Sequence, residues 1–340
     1  MNADRYFSEI YTKLHQRSPG LFPRERIQSL AGVYEDACIR SVFPDFWLEV
    51  PLTGIPRADI HLMYAKEDLS PCCTLPGDGF GYQPLFDWFA EYGDPSAGIA
   101  LSVDIPENGL PCAGSAYRTD NDNIQYVEDY FAACANPDAI PLLHQTLDLL
   151  PDGFSPWYYA SMQNRPGHYC RVDCMVSRRC TESYIRDPSV FGRHLTQIGY
   201  AFDLSCLCDF VSDLASFGFP LEVQLDRLPD GSMRDTFSLS VGFGRDRLSE
   251  LVRSFEEGCG AGLISFLMSR GIADGRAEQI WKTVFGWLFQ ADDSDPASGP
   301  AGFLSRPGFI KTVWVNGRPQ ISKLYCIVGK IGSGRASDPE

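Results

Sequence analysis

Hydrophobic and polar residues alternate along most of ten short segments of the chain, as in strands with one apolar and one polar face. In the first segment Leu48 and Val50 share one face, whereas Trp47 and Glu49 share the other. The other segments in which the alternation is clear cover residues 60–64, 99–104, 169–176, 221–226, 237–243 and 323–328. One face of the predicted sheet is therefore apolar, and the other carries charged and hydroxyl groups.

A turn signal stands at the centre of each of five pairs of these strands. The five centres are Thr53-Gly54-Ile55-Pro56, Pro106-Glu107-Asn108-Gly109, Arg165-Pro166-Gly167, Pro229-Asp230-Gly231 and Asn316-Gly317-Arg318-Pro319. Each contains the Gly, Pro, Asn or Asp residues that tight reversals favour. The predicted hairpins cover residues 47–65, 98–119, 154–176, 220–243 and 309–328, and a segment with helical periodicity precedes each of them.

This order predicts an α+β fold: a ten-stranded antiparallel β-barrel with a polar lumen, surrounded by α-helices and built from five repeated α-α-β-β units. An open sheet with helices on one face would show the same alternation. The barrel is favoured because the helical segments can cover all ten strands, and because open twisted sheets of that size tend to close. No low-complexity linker divides the chain, so residues 1–330 are predicted to form one domain, followed by a disordered tail at residues 331–340.

Composition and charge exclude several classes of function. The net charge of −15 argues against nucleic acid or an anionic membrane surface as a partner. No signal peptide and no apolar run of membrane-spanning length is found, so the sequence predicts a cytoplasmic protein. The twelve cysteines lack the paired spacing of a structural zinc site and are interpreted as reduced thiols. The acidic run at residues 292–295 is interpreted as a solvated loop, so no metal ligands are assigned.

Cations and tyrosines recur on the faces predicted to line the lumen. The predicted cations are Arg171, Lys311, Lys323 and Arg118, the last in a segment that does not sort by polarity. Tyr169 and Tyr325 share faces with Arg171 and Lys323, and Tyr117 precedes Arg118. Arg and Lys in an enclosed site suit a diphosphate, and tyrosine rings can stabilise a carbocation. The candidate bases or ion-pair partners are the carboxylates of Glu49, Asp104, Asp173, Glu222 and Asp226.

A barrel of this kind, with Lys323-Leu324-Tyr325 on its final strand and Tyr169-Cys170-Arg171 as a looser analogue, resembles the ABBA-type (PT-barrel) aromatic prenyltransferases. The resemblance covers nearly the whole chain as architecture. It implies that Arg118, Arg171, Lys311, Lys323 and Tyr325 bind a diphosphate and that Tyr117, Tyr169 and Tyr325 shield an allyl cation. It also implies that Glu49 is the catalytic base.

The resemblance implies a transferase that moves a dimethylallyl or longer group from an allylic diphosphate to an aromatic small molecule or peptide. The acceptor would be an indole, a phenol or an aromatic peptide side chain. No cofactor is assigned, although Mg²⁺ is compatible with the prenyl diphosphate because the family varies in its use of magnesium. The alternative is a non-catalytic barrel that binds a small aromatic or peptide ligand in a biosynthetic pathway.

Overall fold

The computed structural model describes residues 3–38, 44–69, 81–106, 112–119, 121–162, 169–244, 248–288 and 302–331. Two of the predicted turn centres, the acidic run at 292–295 and nearly all of the predicted tail lie outside these residues. The α-helices are α1 (Ala3–Arg17), α2 (Ile27–Ala37), α3 (Gln83–Tyr92), α4 (Ile124–Ala133), α5 (Ala139–Asp148), α6 (Arg178–Arg186), α7 (Ser189–Ile198), α8 (Ser205–Ala215), α9 (Leu248–Glu257) and α10 (Cys259–Ser269). Short 3₁₀ helices cover Arg24–Arg26, Lys66–Asp68 and Gly275–Thr283. No helix of the described segments is both long and apolar enough to cross a membrane.

The strands form one antiparallel sheet that closes on itself. They are β1 (Asp45–Pro51), β2 (Asp59–Ala65), β3 (Gly98–Asp104), β4 (Cys112–Arg118), β5 (Phe154–Ser161), β6 (Cys170–Val176), β7 (Leu221–Arg227), β8 (Thr236–Gly242), β9 (Phe285–Leu288), β10 (Gly302–Val315) and β11 (Arg318–Lys330). Strands β1 to β8 pair in chain order, β8 pairs with β10, β10 with β11, and β11 with β1. These ten strands are the predicted barrel, and the helices surround it.

The apolar faces of the strands pack outward against the helices. Leu48 and Val50 of β1 are fully buried, and Phe46 on the same face lies 5.1 Å from the ring of Phe7 in α1. On β10, Trp314 is also fully buried, 5.0 Å from the ring of Phe210 in α8. Burial of this apolar surface is the main force that holds the helices on the barrel.

The lumen is less tightly packed than the helix layer. Along β10 the outward residues Ile310, Thr312 and Trp314 are buried, whereas the inward residues Phe309 and Lys311 are only partly buried. Solvent therefore reaches the inner face of the sheet.

The cysteines predicted on apolar strand faces lie in the layer between barrel and helices. Cys170, Cys174 and Cys326 are free thiols, and all three are buried among apolar side chains. Burial raises the pKa of Cys170 and of Cys326 to about 12, so that both stay protonated at neutral pH. They act as small hydrophobic residues in the packing.

The turn at Asn316-Gly317 closes the final hairpin as predicted. Asn316 and Gly317 have φ values of 49° and 71°, the left-handed values that a two-residue hairpin turn requires. A side chain at Gly317 would also meet the carbonyl oxygen of Asp203 at 2.4 Å, so only glycine fits this position.

Two details of the last unit differ from the sequence prediction. An eleventh strand, β9, lies outside the ten predicted strands and pairs with the start of β10. Strand β10 begins at Gly302 rather than near Phe309, because a bulge between Pro307 and Phe309 accommodates the proline within the ladder. Because of this bulge, hydrophobic and polar residues do not alternate regularly over the first half of β10, and the sequence did not predict it as a strand.

Candidate functional site

Glu49 of β1 projects into the lumen, as its alternation with Leu48 and Val50 predicted. Its carboxylate is 6% exposed, so it is almost completely enclosed by the barrel. On the neighbouring strands the residue opposite Glu49 is Tyr325 in β11 and Asp59 in β2. The carboxylate is therefore available to groups from both sides of the first strand.

Two lysines and a tyrosine converge on this carboxylate. The amine of Lys323 donates to Glu49 Oε1, and the hydroxyl of Tyr325 donates to Oε2. The amine of Lys311 lies 3.7 Å from Oε2 and 4.7 Å from the centre of the Tyr325 ring. Lys311 and Lys323 stand directly opposite each other in the β10–β11 ladder. Since two opposed cations repel each other, the carboxylate between them offsets a repulsion that would otherwise be unbalanced.

His61 of β2 extends this network to the next strand. Its Nε2 lies 3.4 Å from Glu49 Oε2, and its Nδ1 lies 2.7 Å from the hydroxyl of Ser102 in β3. These two contacts fix the imidazole ring beside the carboxylate.

The charges within this network shift the ionisation of its members. Burial opposes ionisation of Glu49, but Lys323 and Lys311 outweigh it and hold the pKa of the carboxyl well below its usual range. Burial lowers the pKa of Lys311 to about 8, although Glu49 acts in the opposite direction. Burial and the Glu49 charge together raise the pKa of the Tyr325 hydroxyl, which stays protonated. At neutral pH the two lysines and the carboxylate carry a net positive charge.

An aromatic wall stands beside the two lysines. The rings of Phe309 and Tyr325 are stacked with centroids 4.1 Å apart. Trp47 meets Phe309 edge to face at 5.6 Å, and His61 lies 5.2 Å from Tyr325. Such ring faces attract cations and exclude water, so this wall suits a flat aromatic molecule or a carbocation.

Arg171 of β6 belongs to a second charged cluster in the lumen. Its Nε and Nη2 atoms donate to the two carboxylate oxygens of Asp226 at 2.7 and 3.0 Å, and Nη2 also lies 3.4 Å from the hydroxyl of Tyr169. Arg234 lies 3.4 Å from the same carboxylate and 4.5 Å from the centre of the Tyr169 ring. Asp226 therefore orients Arg171, and Tyr169 packs against both guanidinium groups.

The prediction that Tyr117 lines the lumen is wrong. Its ring lies in the helix layer, stacked on Tyr130 of α4 at 5.5 Å and edge-on to Trp88 of α3 at 5.7 Å. Arg118, the next residue of β4, has the opposite parity and stacks on the ring of Trp157 at 5.1 Å. Tyr117 cannot shield a cation that forms inside the barrel, because the sheet itself lies between them.

The structure thus groups the predicted residues into separate places. Lys311, Lys323 and Tyr325 meet at Glu49, whereas Arg171 and Tyr169 lie with Asp226. Arg171 is close enough to Lys311 to contribute to the lowering of the Lys311 pKa, although burial is the larger cause. The two charged clusters therefore face a common lumen.

Sequence reasoning assigned no role in the site to three aromatic residues that face the lumen. Trp47 and Phe309 lie two residues before Glu49 and Lys311 respectively, so strand parity was a usable signal for both. Tyr158 also faces the lumen, but a bulge between Pro156 and Tyr158 breaks the alternation there. Only the pairing of the strands identifies its face.

The described residues do not form a metal centre of their own. No three His, Cys, Asp or Glu side chains in these segments are grouped so that they could hold a metal ion. The oxygens of Glu49 and Asp226 are already engaged by lysine and arginine nitrogens. Lysine and arginine nitrogens thus neutralise these two carboxylates.

Comparison with known proteins supports the fold. No family model matches the chain, and a search of curated proteins finds no significant match. Among solved structures, AnaPT from Neosartorya fischeri matches with a TM-score of 0.52 and 9% identity, over 96% of this chain and 92% of that one. The 6-dimethylallyltryptophan synthase from Micromonospora olivasterospora, in complex with DMASPP and Trp, matches with a TM-score of 0.52 and 12% identity, over 96% and 97% of the two chains. A further 6-dimethylallyl tryptophan synthase matches with a TM-score of 0.50 and 13% identity, over 97% of this chain and 96% of that one.

These matches extend over nearly the full length of each protein, while the identities are too low to carry over individual residues. Together with the closed ten-stranded sheet and its surrounding helices, they show that this chain has the PT-barrel fold of the aromatic prenyltransferase structures.

Proposed function

We propose that the chain is an aromatic prenyltransferase, which moves a dimethylallyl or longer isoprenoid group from an allylic diphosphate to an electron-rich aromatic acceptor. The observation that carries this proposal is the meeting of Glu49, Lys311 and Lys323 beside the stacked rings of Phe309 and Tyr325. Anion-binding, cation-stabilising and proton-accepting groups lie together there, inside a PT barrel. One structural neighbour, a dimethylallyltryptophan synthase, is in complex with DMASPP and Trp, which supports the substrate class.

Lys311 and Lys323 would hold the diphosphate, with Arg171 contributing charge from the facing cluster. The carbon–oxygen bond of the donor breaks, and the diphosphate leaves with the electron pair. Protonated amines stabilise the negative charge that develops on the leaving oxygen. Because both lysines now contact Glu49, the diphosphate must compete with this carboxylate for them.

The allyl cation that remains needs protection from water and a nucleophile. The faces of Tyr325 and Phe309, together with Trp47, provide π-electron density for the cation. A carbon of the acceptor ring attacks, and the new carbon–carbon bond forms. Glu49 then takes the proton that the alkylated ring must lose to become aromatic again.

Glu49 is poorly basic while two lysines hold it, since they keep its pKa well below the usual range. Recruitment of the lysines by the donor removes part of this stabilisation and makes the carboxylate a stronger base. Lys311 and Lys323 can therefore stabilise the diphosphate as it leaves and, by giving up their contacts with Glu49, raise the basicity of this carboxylate. No step of this scheme requires a metal ion, since lysine and arginine supply the positive charge.

The proposal is tested by incubating the full chain with dimethylallyl diphosphate and tryptophan, tyrosine or a short aromatic peptide. Mass spectrometry is then used to detect an acceptor that has gained one prenyl group. A prenylated product is expected with at least one of these acceptors. If the protein binds the acceptors but transfers no prenyl group from dimethylallyl, geranyl or farnesyl diphosphate, the barrel is a binding protein and the proposal fails.

A further inference from the structure

Two carboxyl groups form a third polar cluster in the lumen, which the scheme above does not use. Asp173 of β6 and Glu222 of β7 have inward parity, because Val172, Cys174 and Leu221 on the opposite faces are fully buried in the helix layer. The two residues are diagonal neighbours in the β6–β7 ladder, and the Asp173 charge raises the pKa of Glu222. Asp173 and Glu222 thus form a carboxyl pair on the inner wall, and this pair belongs to neither of the other two clusters.

One oxygen of this pair has no partner. Gln224 donates its side-chain amide to Asp173 Oδ2 at 3.0 Å. Asp173 Oδ1 is buried without a hydrogen-bond partner in the described structure, and the residue as a whole is only 5% exposed. An acceptor that is buried and unsatisfied costs roughly 1–3 kcal/mol. A ligand that donates a hydrogen bond to Oδ1 would remove that cost.

The carboxyl pair also differs from the other lumen carboxylates in its charge balance. Glu49 has two lysines within 4.0 Å, and Asp226 has two arginines within the same distance. The ion pairs of the described residues include none that involves Asp173 or Glu222. Among the described residues, no lysine or arginine nitrogen lies within 4.0 Å of these two carboxyls, although Arg171 and Lys311 act on Asp173 from a greater distance.

Burial opposes ionisation of both carboxyls of this pair. Burial raises the pKa of Asp173 to about 6, against the opposing effect of Arg171. Burial and the neighbouring Asp173 charge raise the pKa of Glu222 well above its usual range. A cation beside the pair would favour the ionised form of both carboxyls.

A row of small residues and one aromatic ring lie on the wall next to the pair. Ala100, Ala116 and Ala160 face one another in register across β3, β4 and β5, and all three are buried. Tyr158 lies between this row and the pair, directly opposite Asp173 in the β5–β6 ladder. Met162 and Tyr169 cover the three alanines, and Tyr158 provides an aromatic ring beside the pair.

We propose that Asp173 and Glu222 form the subsite for a protonated amine on the acceptor, so that the preferred acceptor is an aromatic ring with an alkylammonium arm. This inference rests on the proposed function for the identity of the acceptor site. An ammonium group has three donors, which can satisfy Asp173 Oδ1 and the Glu222 carboxyl together. The carboxyl pair repels the diphosphate, and the lysines attract it. The donor diphosphate and the acceptor amine therefore bind at different places in the lumen.

The test compares ligands that differ only in the amine. Tryptamine is compared with 3-ethylindole, and tyramine with 4-ethylphenol, by calorimetric titration of the full chain without donor. A charge-assisted contact predicts that each amine binds roughly 10–100-fold more tightly than its amine-free partner. Asp173→Asn and Glu222→Gln should each reduce this preference at least several-fold while leaving the affinity for 3-ethylindole and 4-ethylphenol unchanged. Glu128→Gln, a carboxylate substitution on α4 outside the barrel, should leave all four affinities unchanged.

Three results would overturn the inference. One is equal affinity within both ligand pairs, or no binding of any of the four compounds. The second is that Asp173→Asn lowers the affinity for an amine and for its amine-free partner by the same factor. Thermal unfolding then shows whether the barrel of this variant is intact. The third is binding of magnesium chloride alone to the wild type but not to Asp173→Asn, which would make the pair a metal site.

These titrations need neither donor nor turnover, so they separate this inference from the proposed function. A protein that binds amines selectively but never transfers a prenyl group would contradict the proposed function alone. A protein that prenylates amine-free acceptors as readily as amines would contradict this inference alone.

Discussion

The buried amine of Lys311 makes donor binding depend on pH in a range where free lysine would stay charged. Burial lowers its pKa to about 8, with Lys323 and Arg171 acting in the same direction and Glu49 against it. A diphosphate beside the amine favours the protonated form, so the pKa of Lys311 rises when the donor binds. Donor affinity must then fall as the pH rises above the pKa of the free protein.

The size of the effect follows from the protonated fraction of the free protein. For a pKa near 8 this fraction falls from about 90% at pH 7 to about 10% at pH 9, so the donor affinity should fall roughly tenfold. Glu49 stays ionised and Tyr325 stays neutral over this range, since the pKa of the first is lowered and that of the second is raised. Neither residue therefore contributes to the dependence of donor affinity on pH.

Isothermal titration of dimethylallyl diphosphate at pH 7, 8 and 9, at constant ionic strength and without acceptor, measures this slope. The matched variant is Lys311→Arg, because a guanidinium stays charged throughout. It should bind the donor with little dependence on pH, whereas Lys311→Met should bind weakly at all three values. If wild type and Lys311→Arg show the same pH dependence, whether flat or falling, the titration of Lys311 does not control donor binding.

The other contacts lead to three further expectations. Lys323→Ala and Arg171→Ala should each weaken binding of dimethylallyl diphosphate by roughly 1.5–3 kcal/mol in the same titration, because each removes a charge-assisted contact; unchanged affinity in both would show that these cations serve the structure alone. Tyr117→Phe should leave turnover unchanged, since its ring lies in the helix layer against Tyr130 and Trp88; a large loss of turnover would contradict that placement. Trp314→Ala should lower the free energy of unfolding by about 3–5 kcal/mol in urea titrations, because it removes a fully buried ring that packs on Phe210; a change below about 1 kcal/mol would mean that this contact is not part of the core.

The strand faces could be read from the sequence wherever burial follows a period of two. Glu49 and Lys323 were placed in the lumen because their neighbours in the chain are apolar and face the helices. The rule failed at β4, where Ser115 faces the helix layer. It is fully buried there and lies 3.0 Å from the hydroxyl of Tyr130. Because Ser115 is polar but faces the helix layer, polarity does not show which face each residue of β4 occupies. Tyr117 was assigned to the wrong face for this reason.

The partners of the lumen charges could not be derived from the chain alone. Lys323 and Glu49 lie at opposite ends of the sequence and meet only because β11 pairs with β1 to close the barrel. The assignment of Asp226 to Arg171 likewise depends on the β6–β7 register, in which the two residues stand directly opposite each other. Strand parity predicts which face a residue lies on, but the register decides which residue it meets.

The central claim, that Glu49 is the base of a prenyl-transfer site, is tested most directly by Glu49→Gln with donor affinity and turnover measured on the same sample. The substitution keeps the shape of the side chain and removes its basicity and charge. It also frees Lys311 and Lys323, so dimethylallyl diphosphate should bind at least as tightly as to the wild type. Turnover should fall by roughly 10²–10⁴-fold, the range expected for loss of a general base. Turnover equal to that of the wild type would contradict the assignment of Glu49, and a parallel loss of donor binding would show that the carboxylate only supports the structure.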